Sequence, residues 1–333
     1  MKMPNPFLRP ETEEEIIGMK EEVRALDGFI NRISAGQAPI LMVHGVPGSG
    51  RSALLKHMRT VAERQGISIV FIHVEHGENI EELARRIFNE AIAPVLPYKK
   101  KTSDFTELLD TLPSAARKGS FGNLLILDDI DSLRKSEESL KMLLVSMAGS
   151  SHRVALVMSS TRAFRINELP TLELLPIDET QAKDFVAKAL KDSHMRMGDE
   201  CISTILADTG GNPRLFRDVC MLVYDSMKEH ELVISQAHYL SYLPSIMAVL
   251  SMEWFGALFQ KTPKRERAIL SVMAQGDENG MHVSDISRKV GRPMGETTAL
   301  MGRLLDSGQV VRIDRGTYRI FAGLYAKYVM QRS

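Results

Sequence analysis

The segment GVPGSGRS, residues 45–52, has the clearest capacity for chemistry in this sequence. It follows an apolar run, ILMVH, and precedes a helical pattern, ALLKHMRTVAER. Glycines let a backbone turn so that several N–H groups point at one phosphate, and the positive end of the following helix favours the same charge. The sequence therefore predicts a phosphate-binding loop. Its predicted nucleotide-binding residues are Gly45, Val46, Pro47, Gly48, Ser49, Gly50, Arg51, Ser52 and Ala53.

Two positions of this loop decide its chemistry. Ser52 is placed to bind Mg²⁺ through its hydroxyl. Arg51 stands where the GxxxxGK[ST] pattern has lysine, and a planar guanidinium does not replace a compact ammonium conservatively. We therefore expect nucleotide binding with slow or absent hydrolysis, and we count Arg51 as a catalytic candidate. The alternative is a glycine turn that only joins a strand to a helix.

A second candidate is the run LLILDDIDSL, residues 124–133, in which apolar residues end in two acids. An acid at such a strand end can hold the shell of a Mg²⁺ ion, and the next acid can polarise an attacking water. We assign the metal to Asp128, together with Ser52, and the general base to Asp129. Asp131 is a candidate N-cap for the helix that follows.

Composition places these segments in an ordinary globular chain. The 333 residues are 44% apolar and 25% charged, with 42 basic and 42 acidic side chains, which suits two or three domains. The two cysteines form neither a zinc spacing nor a disulfide framework. No apolar run approaches the ~18 residues of a membrane span, and no secretory signal opens the chain. We expect a cytoplasmic protein without a membrane partner.

Alternating patterns place the two candidate segments on one sheet. Short apolar runs predict strands at 40–44, 67–74, 123–128, 153–159 and 172–175, with helical stretches at 52–65, 79–94, 104–117 and 135–148. Continuous apolar strands separated by helices indicate a parallel sheet covered on both faces. The predicted fold class is α/β.

The remainder of the chain has a different pattern. Helical segments follow at 179–192, 199–208, 213–229 and 235–250, and the last 70 residues have the order helix–helix–helix–hairpin of a winged helix. The predicted divisions are a lead-in with a helix (1–35), the sheet core (36–177), a helical segment (178–255) and the winged helix (256–333).

Several segments resemble AAA+ and STAND ATPases. The run VALVMSSTR (154–162) is similar to their sensor-1 strand, and GGNPRLF (210–216) resembles the sensor-2 region of their helical lid. IIGMKEEVRAL (16–26) resembles their opening motif, with Met19 in place of its arginine. The tail is similar to the winged-helix end of archaeal and bacterial ATPases of this group, and origin-recognition initiator ATPases share the layout.

The resemblance implies a P-loop NTPase core of RecA/AAA+ type with a lid, binding ATP or ADP with Mg²⁺ and able to form a homo-oligomer. It implies that Pro213 lies near adenine, that Arg214 faces the γ-phosphate and that Arg162 reports the nucleotide state. Two alternatives stay open. Arg162 could be a solvated loop residue, and GGNP could be only a helix stop followed by a new helix with proline in its first turn.

The tail is basic in a neutral chain. Residues 262–333 contain twelve Lys and Arg against seven Asp and Glu, which suits contact with a phosphate backbone. Glu296, Thr297 and Thr298 are candidates for reading bases from the third helix of the tail. A protein-docking role is the alternative. The DNA-binding candidates are Arg288, Lys289, Arg292, Arg303, Arg312, Arg315 and Arg319.

Together these patterns predict an ATP-binding switch, and a slow ATPase, that couples nucleotide state to a winged helix on double-stranded DNA or a protein partner. The alternative is a DNA-binding initiator or regulator that holds nucleotide with little or no hydrolysis. A third is a scaffold that recruits proteins. HVEH at 73–76 offers two histidines at a spacing that strains shared ligation, so we expect no metal site there.

Overall fold

The computed structural model describes residues 5–8, 16–97, 101–116, 120–150, 154–164, 166, 169–228, 231–277 and 279–332. The predicted lead-in falls partly outside these residues. The chain divides into two compact units. The first, here called the sheet unit, comprises Met19–Gly45 and Gly50–Leu174. The second, here called the helical unit, comprises Val46–Ser49, Leu175–Ser333 and the described parts of Met1–Gly18.

The sheet unit contains one five-stranded parallel sheet with strand order β2-β3-β4-β1-β5. Its strands are β1 (Ile40–His44), β2 (Ser68–His73), β3 (Asn123–Asp128), β4 (Ala155–Ser160) and β5 (Thr171–Glu173). Its helices are α1 (Lys20–Ser34), α2 (Arg51–Arg64), α3 (Ile80–Ile87), α4 (Phe105–Ala115) and α5 (Ser136–Gly149). The predicted α/β fold with a parallel sheet is confirmed, since all five predicted strands are present.

Burial explains why these runs form central strands. All six residues of β4 are buried, as are the last five of β3, which is the pattern of strands covered on both faces. Because the strands are parallel, the carboxyl ends of β1, β3 and β4 meet at one edge of the sheet. This is the edge where ligands bind in open α/β sheets.

The helical unit is mainly α-helical. Its helices are α6 (Glu179–Ala189), α7 (Asp199–Thr209), α8 (Pro213–Ser226), α9 (Gln236–Leu250), α10 (Gly256–Lys261), α11 (Lys264–Met273), α12 (Val283–Val290), α13 (Met294–Asp306) and α14 (Gly323–Arg332). Its strands are β6 (Arg196–Met197), β7 (Val233–Ile234), β8 (Met281–His282), β9 (Val310–Asp314) and β10 (Thr317–Ile320). Strands β8, β10 and β9 form an antiparallel sheet in that order.

One apolar core runs through the helical unit. Its buried members extend along the chain from Phe7 to Val329 and come from α6–α9 as well as from the tail. The ring of Phe7 lies 5.8 Å from that of Phe185 and 6.1 Å from that of Tyr224, which fixes the N-terminal segment on α6 and α8. The helices after residue 178 and the tail therefore share one core.

A continuous helix, Gln236–Lys261, spans α9, a π-helical turn at Ser251–Phe255 and α10. Within the described residues it is the one helix long and apolar enough to cross a membrane, with a mean hydropathy of 1.3 over its most apolar stretch. It is not a continuous apolar run, because polar residues such as Ser241, Ser245 and Ser251 interrupt it. Of its most apolar stretch 28% is buried. Tyr239, Leu250 and Phe255 of this helix lie in the core of the helical unit.

Candidate functional site

The loop between β1 and α2 has the backbone conformation that the glycine pattern predicts. Gly48 and Gly50 have φ angles of +84° and +96°, which L side chains rarely adopt. The Gly45 N–H donates to the carbonyl of Ser160 at 3.2 Å and so fixes the start of the loop on β4. Gly50 occupies the N-cap position of α2, and no side-chain cap accepts a hydrogen bond from the first N–H groups of this helix.

The tip of this loop, Val46–Ser49, groups with the helical unit. The Asn212 side-chain amide donates to the Pro47 carbonyl at 2.8 Å, and the Arg214 N–H donates to the Gly48 carbonyl at 3.1 Å. The Ser49 hydroxyl is buried and has no hydrogen-bond partner among the described residues. Buried hydroxyls are normally paired, so an unpaired one here suits a ligand with acceptor oxygens.

Ser52 and Asp128 meet at the edge of the sheet, as the metal assignment requires. The Ser52 hydroxyl donates to Asp128 Oδ2 at 2.8 Å. Asp128 ends β3 and is only 3% exposed. A hydroxyl and a carboxylate are hard oxygen donors, which Mg²⁺ prefers, so these two residues fit the ion.

Asp129 follows in the left-handed region, with φ +62°, and its Oδ1 lies 3.2 Å from Arg51 Nη1. Burial raises the pKa of Asp129, an effect that the Arg51 charge opposes and that Asp128 and Asp131 reinforce. Arg51 Nη1 is itself buried and makes no hydrogen bond within the described residues. The two catalytic candidates are therefore an ion pair, with a carboxylate that accepts a proton more readily than an exposed one.

Ser159 on β4 holds both acids, and sequence reasoning missed it. Its hydroxyl donates to Asp128 Oδ1 and accepts the Asp129 N–H, the latter at 2.9 Å. The prediction that Asp131 caps a helix was wrong, because Asp131 Oδ1 instead accepts the Thr161 N–H at 3.2 Å and Lys135 caps α5. The sequence feature that could have indicated these contacts is the polar run Ser159–Thr161 at the end of β4. It becomes informative only when β4 is known to lie beside β3.

His73 ends β2 directly opposite Asp128 in the parallel register. Its Nδ1 lies 3.5 Å from Asp128 Oδ2 and 3.9 Å from Asp129 Oδ2. Together the three side chains form the one group of potential metal ligands among the residues that the structure describes. Contrary to the expectation of no metal site at HVEH, His73 faces potential ligands, although its companions are the acids and not His76.

Arg162 contacts residues of its own unit. Its guanidinium donates to the Ser136 hydroxyl at 2.9 Å and lies 4.8 Å from the ring centre of Phe164. It is thus a packed side chain at the end of the sensor-like strand. Its role toward nucleotide stays a prediction.

Pro213 and Arg214 open α8 in the helical unit. Asn212 caps α8 by accepting the Leu215 N–H at 3.1 Å, with buried Pro213 as the first helical residue. Gly210 ends α7 with φ +62°, so GGNP is locally the helix stop and restart that was one of the alternatives. Arg214 Nε lies 3.5 Å from Asp218, and its guanidinium lies 4.9 Å from the ring centre of Trp254.

Acids of the same tail engage many of its basic candidates. The ion pairs are Arg288–Asp285 (2.7 Å), Arg292–Glu296 (2.7 Å) and Arg303–Glu266 (3.5 Å). Arg312 donates to the Asp314 carbonyl at 3.2 Å, and Nε of half-buried Arg319 is buried without a hydrogen bond among the described residues. Lys289 and Arg315 are exposed. The tail therefore presents less free positive charge than its composition suggests.

Thr297 does not reach the surface. It is fully buried, and its hydroxyl donates to the Pro293 carbonyl at 3.1 Å. The expectation that Thr297 reads bases was therefore wrong, because the first turn of α13 turns this side chain into the core. Thr298 is exposed, and Glu296 is occupied by its ion pair with Arg292.

Comparisons with known proteins agree with this geometry. Residues 15–157 match the family model of the AAA ATPase domain. A search of curated proteins found no match. The described fold is similar to a Walker-type ATPase of Pyrococcus abyssi (TM-score 0.67, 15% identity, covering 98% of this chain and 99% of that one).

Two further structures show the same likeness. One is the Drosophila ORC bound to DNA (TM-score 0.57, 15% identity, 98% and 90% coverage). The other is the Aeropyrum pernix ORC1 protein in complex with DNA (TM-score 0.52, 15% identity, 98% and 96% coverage). The α/β sheet thus has the P-loop NTPase fold, and the residues that match the AAA ATPase domain model cover most of the sheet unit.

Proposed function

We propose that this chain is an ATP-binding AAA+-type switch, and a slow ATPase, whose nucleotide state is coupled to a C-terminal winged helix. The observation that carries the proposal is the 2.8 Å hydrogen bond between the Ser52 hydroxyl and Asp128 Oδ2. It brings the last residue of the phosphate-binding segment to the acid at the end of β3, so that both can reach one ion. The match of residues 15–157 to the AAA ATPase domain supports it.

Each residue of the site has a role in this proposal. The N–H groups at the start of α2 and the Arg51 guanidinium bind phosphate oxygens. Ser52 and Asp128 would hold Mg²⁺, which would supply positive charge to neutralise the phosphates. Asp129 accepts a proton from the attacking water, and its raised pKa suits a base better than an exposed carboxylate would.

The Arg51–Asp129 ion pair favours a second candidate, a DNA-binding initiator or regulator that binds nucleotide with little hydrolysis. At 3.2 Å the guanidinium holds the carboxylate that would serve as base. A phosphate that draws Arg51 away frees Asp129, whereas a pair that persists leaves the nucleotide uncleaved. Both candidate functions therefore predict nucleotide binding, and they differ in whether ATP is hydrolysed.

The winged helix is proposed from element order. Helix α11, strand β8, helices α12 and α13 and the β9–β10 hairpin follow one another as in such domains. DNA is the favoured partner, because the two origin-recognition structures similar to this chain are DNA complexes. Lys289 and Arg315 are two of the exposed basic side chains of the tail that would contact phosphates. A protein partner or a homo-oligomer is the alternative.

The first experiment is calorimetric titration of the full chain with ATP and ADP in Mg²⁺. We expect Ser52→Ala to weaken MgATP binding at least about tenfold, since it removes one ligand of the ion. Thr60→Ala is the matched control, because its hydroxyl lies on the same helix and donates to the Lys56 carbonyl of that helix. Equal binding by both variants, or no nucleotide binding by the wild type, would refute the proposal.

Steady-state phosphate release then separates the two candidates. Slow turnover that disappears in Asp129→Asn, with MgATP binding retained, supports the ATPase. Absence of phosphate release by the wild type, together with phosphate release by Arg51→Lys, supports the binding-only regulator. Turnover that survives in Asp129→Asn would remove Asp129 from the mechanism.

The DNA branch is tested by duplex binding measured by fluorescence anisotropy against salt concentration. Lys289→Ala and Arg315→Ala should each weaken binding and reduce the salt slope by about 1, as loss of one phosphate contact does. Lys141→Ala, an exposed basic residue of the sheet unit, is the control. No binding at low salt would leave the protein-partner alternative.

A further inference from the structure

The carboxyl ends of β2 and β3 carry more ligand atoms than a magnesium site uses. Asp128 Oδ2 accepts the Ser52 hydroxyl at 2.8 Å and lies 3.5 Å from His73 Nδ1. The same imidazole nitrogen lies 3.9 Å from Asp129 Oδ2. One ligand atom from each of His73, Asp128 and Asp129 lies within 4.8 Å of the others.

These separations fit ligands of a single ion. Bonds of about 2.1 Å place neighbouring ligand atoms roughly 3.0 Å apart in an octahedron and about 3.4 Å apart in a tetrahedron, with opposite octahedral ligands about 4.2 Å apart. The His73–Asp128 and His73–Asp129 distances, 3.5 and 3.9 Å, fall inside this range. The third pair, the oxygens of Asp128 and Asp129, lies within 4.8 Å.

The charges leave the position open to a cation. Arg51 approaches Oδ1 of Asp129, while His73 faces Oδ2 of the same carboxylate. The two carboxylates of Asp128 and Asp129 carry more negative charge than the one Arg51 guanidinium neutralises. A divalent ion would therefore bind at Asp129 Oδ2, the oxygen that Arg51 does not approach. The His73 side chain is 64% exposed, so an ion reaches it from solvent without opening the fold.

The kind of donor decides which cation binds. Mg²⁺ takes oxygen ligands and keeps several waters, whereas imidazole suits transition ions such as Co²⁺ and Zn²⁺. We propose that His73, Asp128 and Asp129 form a site for a divalent transition ion that binds without nucleotide. The inference rests on the proposed function, because Asp128 belongs to both sites. It adds that the nucleotide pocket prefers metal ions that bind nitrogen ligands.

The test uses the full chain, stripped of metal with a chelator and free of nucleotide. Co²⁺ is the probe, since its visible absorption bands report binding and nitrogen ligation directly. We expect saturable Co²⁺ binding that His73→Gln weakens at least about tenfold, in line with loss of one ligand. His76→Gln is the matched control, because His76 is an exposed histidine three residues along the same segment. Mg²⁺ affinity, measured by calorimetry, should be equal in wild type and His73→Gln.

Equal Co²⁺ binding by wild type and His73→Gln would overturn the inference, as would an equal loss in His76→Gln. Asp128→Asn should lose both Co²⁺ and Mg²⁺, and retained Co²⁺ binding there would also overturn it. Failure of the proposed function is separate: it is the absence of MgATP binding in the wild type, which the Co²⁺ titration of the nucleotide-free chain does not measure.

Discussion

Replacement of Ser159 by alanine tests whether the acidic strand end depends on β4. The Ser159 hydroxyl is fully buried and makes two hydrogen bonds, one to the Asp128 carboxylate and one from the Asp129 N–H. Alanine removes both and adds no bulk. The neighbouring Ser160 is equally buried and accepts one N–H, from Arg162 at 3.1 Å, so Ser160→Ala is a matched control.

The magnitude follows from the partners. A hydrogen bond to a charged group contributes about 1.5–3 kcal/mol, and an N–H left unpaired and buried costs about 1–3 kcal/mol. Asp129 is partly exposed, so water offsets some of the second cost. We expect Ser159→Ala to lower the free energy of unfolding of the sheet unit by roughly 3 kcal/mol, against about 1 kcal/mol for the single neutral bond of Ser160.

The assay must report the sheet unit alone. The only tryptophan, Trp254, lies in the helical unit, so its fluorescence does not measure the sheet. Amide hydrogen exchange of β3 and β4 gives the opening free energy of the strands that Ser159 joins. If the two variants differ by less than about 0.5 kcal/mol, Ser159 does not support the acids and the reasoning fails.

Three further predictions concern charge, thiols and the loop. Asp129 has a raised pKa, so its ionisation destabilises the fold as the pH rises from the ordinary carboxyl pKa through the raised one. Urea unfolding across this pH window should show Asp129→Asn gaining stability relative to the wild type as the pH rises. A stability difference that does not change with pH would contradict the direction of the pKa shift. Burial raises the pKa of Cys201 to about 12 and holds that of Cys220 well above its ordinary value, so both thiols should resist Ellman's reagent in the native state and react on unfolding; prompt native labelling would contradict their burial. Gly48→Ala puts a Cβ 2.6 Å from Asn212 Oδ1 at φ +84°, so it should cost about 1–2 kcal/mol of stability and weaken MgATP binding in calorimetry, whereas Gly295→Ala, where a Cβ meets open space, should not.

The sequence predicted best those elements whose own residues determine them. The predicted strands 40–44 and 123–128 coincide with β1 and β3. In each case apolar spacing and a flanking Gly, Pro or Asp mark the ends. The strands β6 and β7 were not predicted, because two residues are too few to show the alternation of apolar and polar side chains that indicates a strand. Helix α14 was not predicted as a helix, although residues 323–332 have helical spacing of apolar side chains.

The candidate site divides in the same way. The loop, Ser52 and the acids were found because their motif is contiguous. Ser159 and His73 were missed because they reach the acids only through the strand order, which places β3 between β2 and β4. No local pattern encodes that order. Likewise, the ion pairs that occupy the tail arginines depend on which helix faces become neighbours, so composition overstated the free charge.

The π-helical turn at Ser251–Phe255 determines where this chain can change length. Its wide turn, in which the Gly256 N–H donates to the Ser251 carbonyl, contains one residue more than a regular turn would. Deleting exposed Met252 would convert the turn to α-helix and keep α9 and α10 in phase. Deleting Ala248, inside regular helix, would rotate one flank by about 100° and move Phe259 off the core. We therefore expect sequences of this kind to gain or lose single residues at the π-turn and to keep constant length on either side of it.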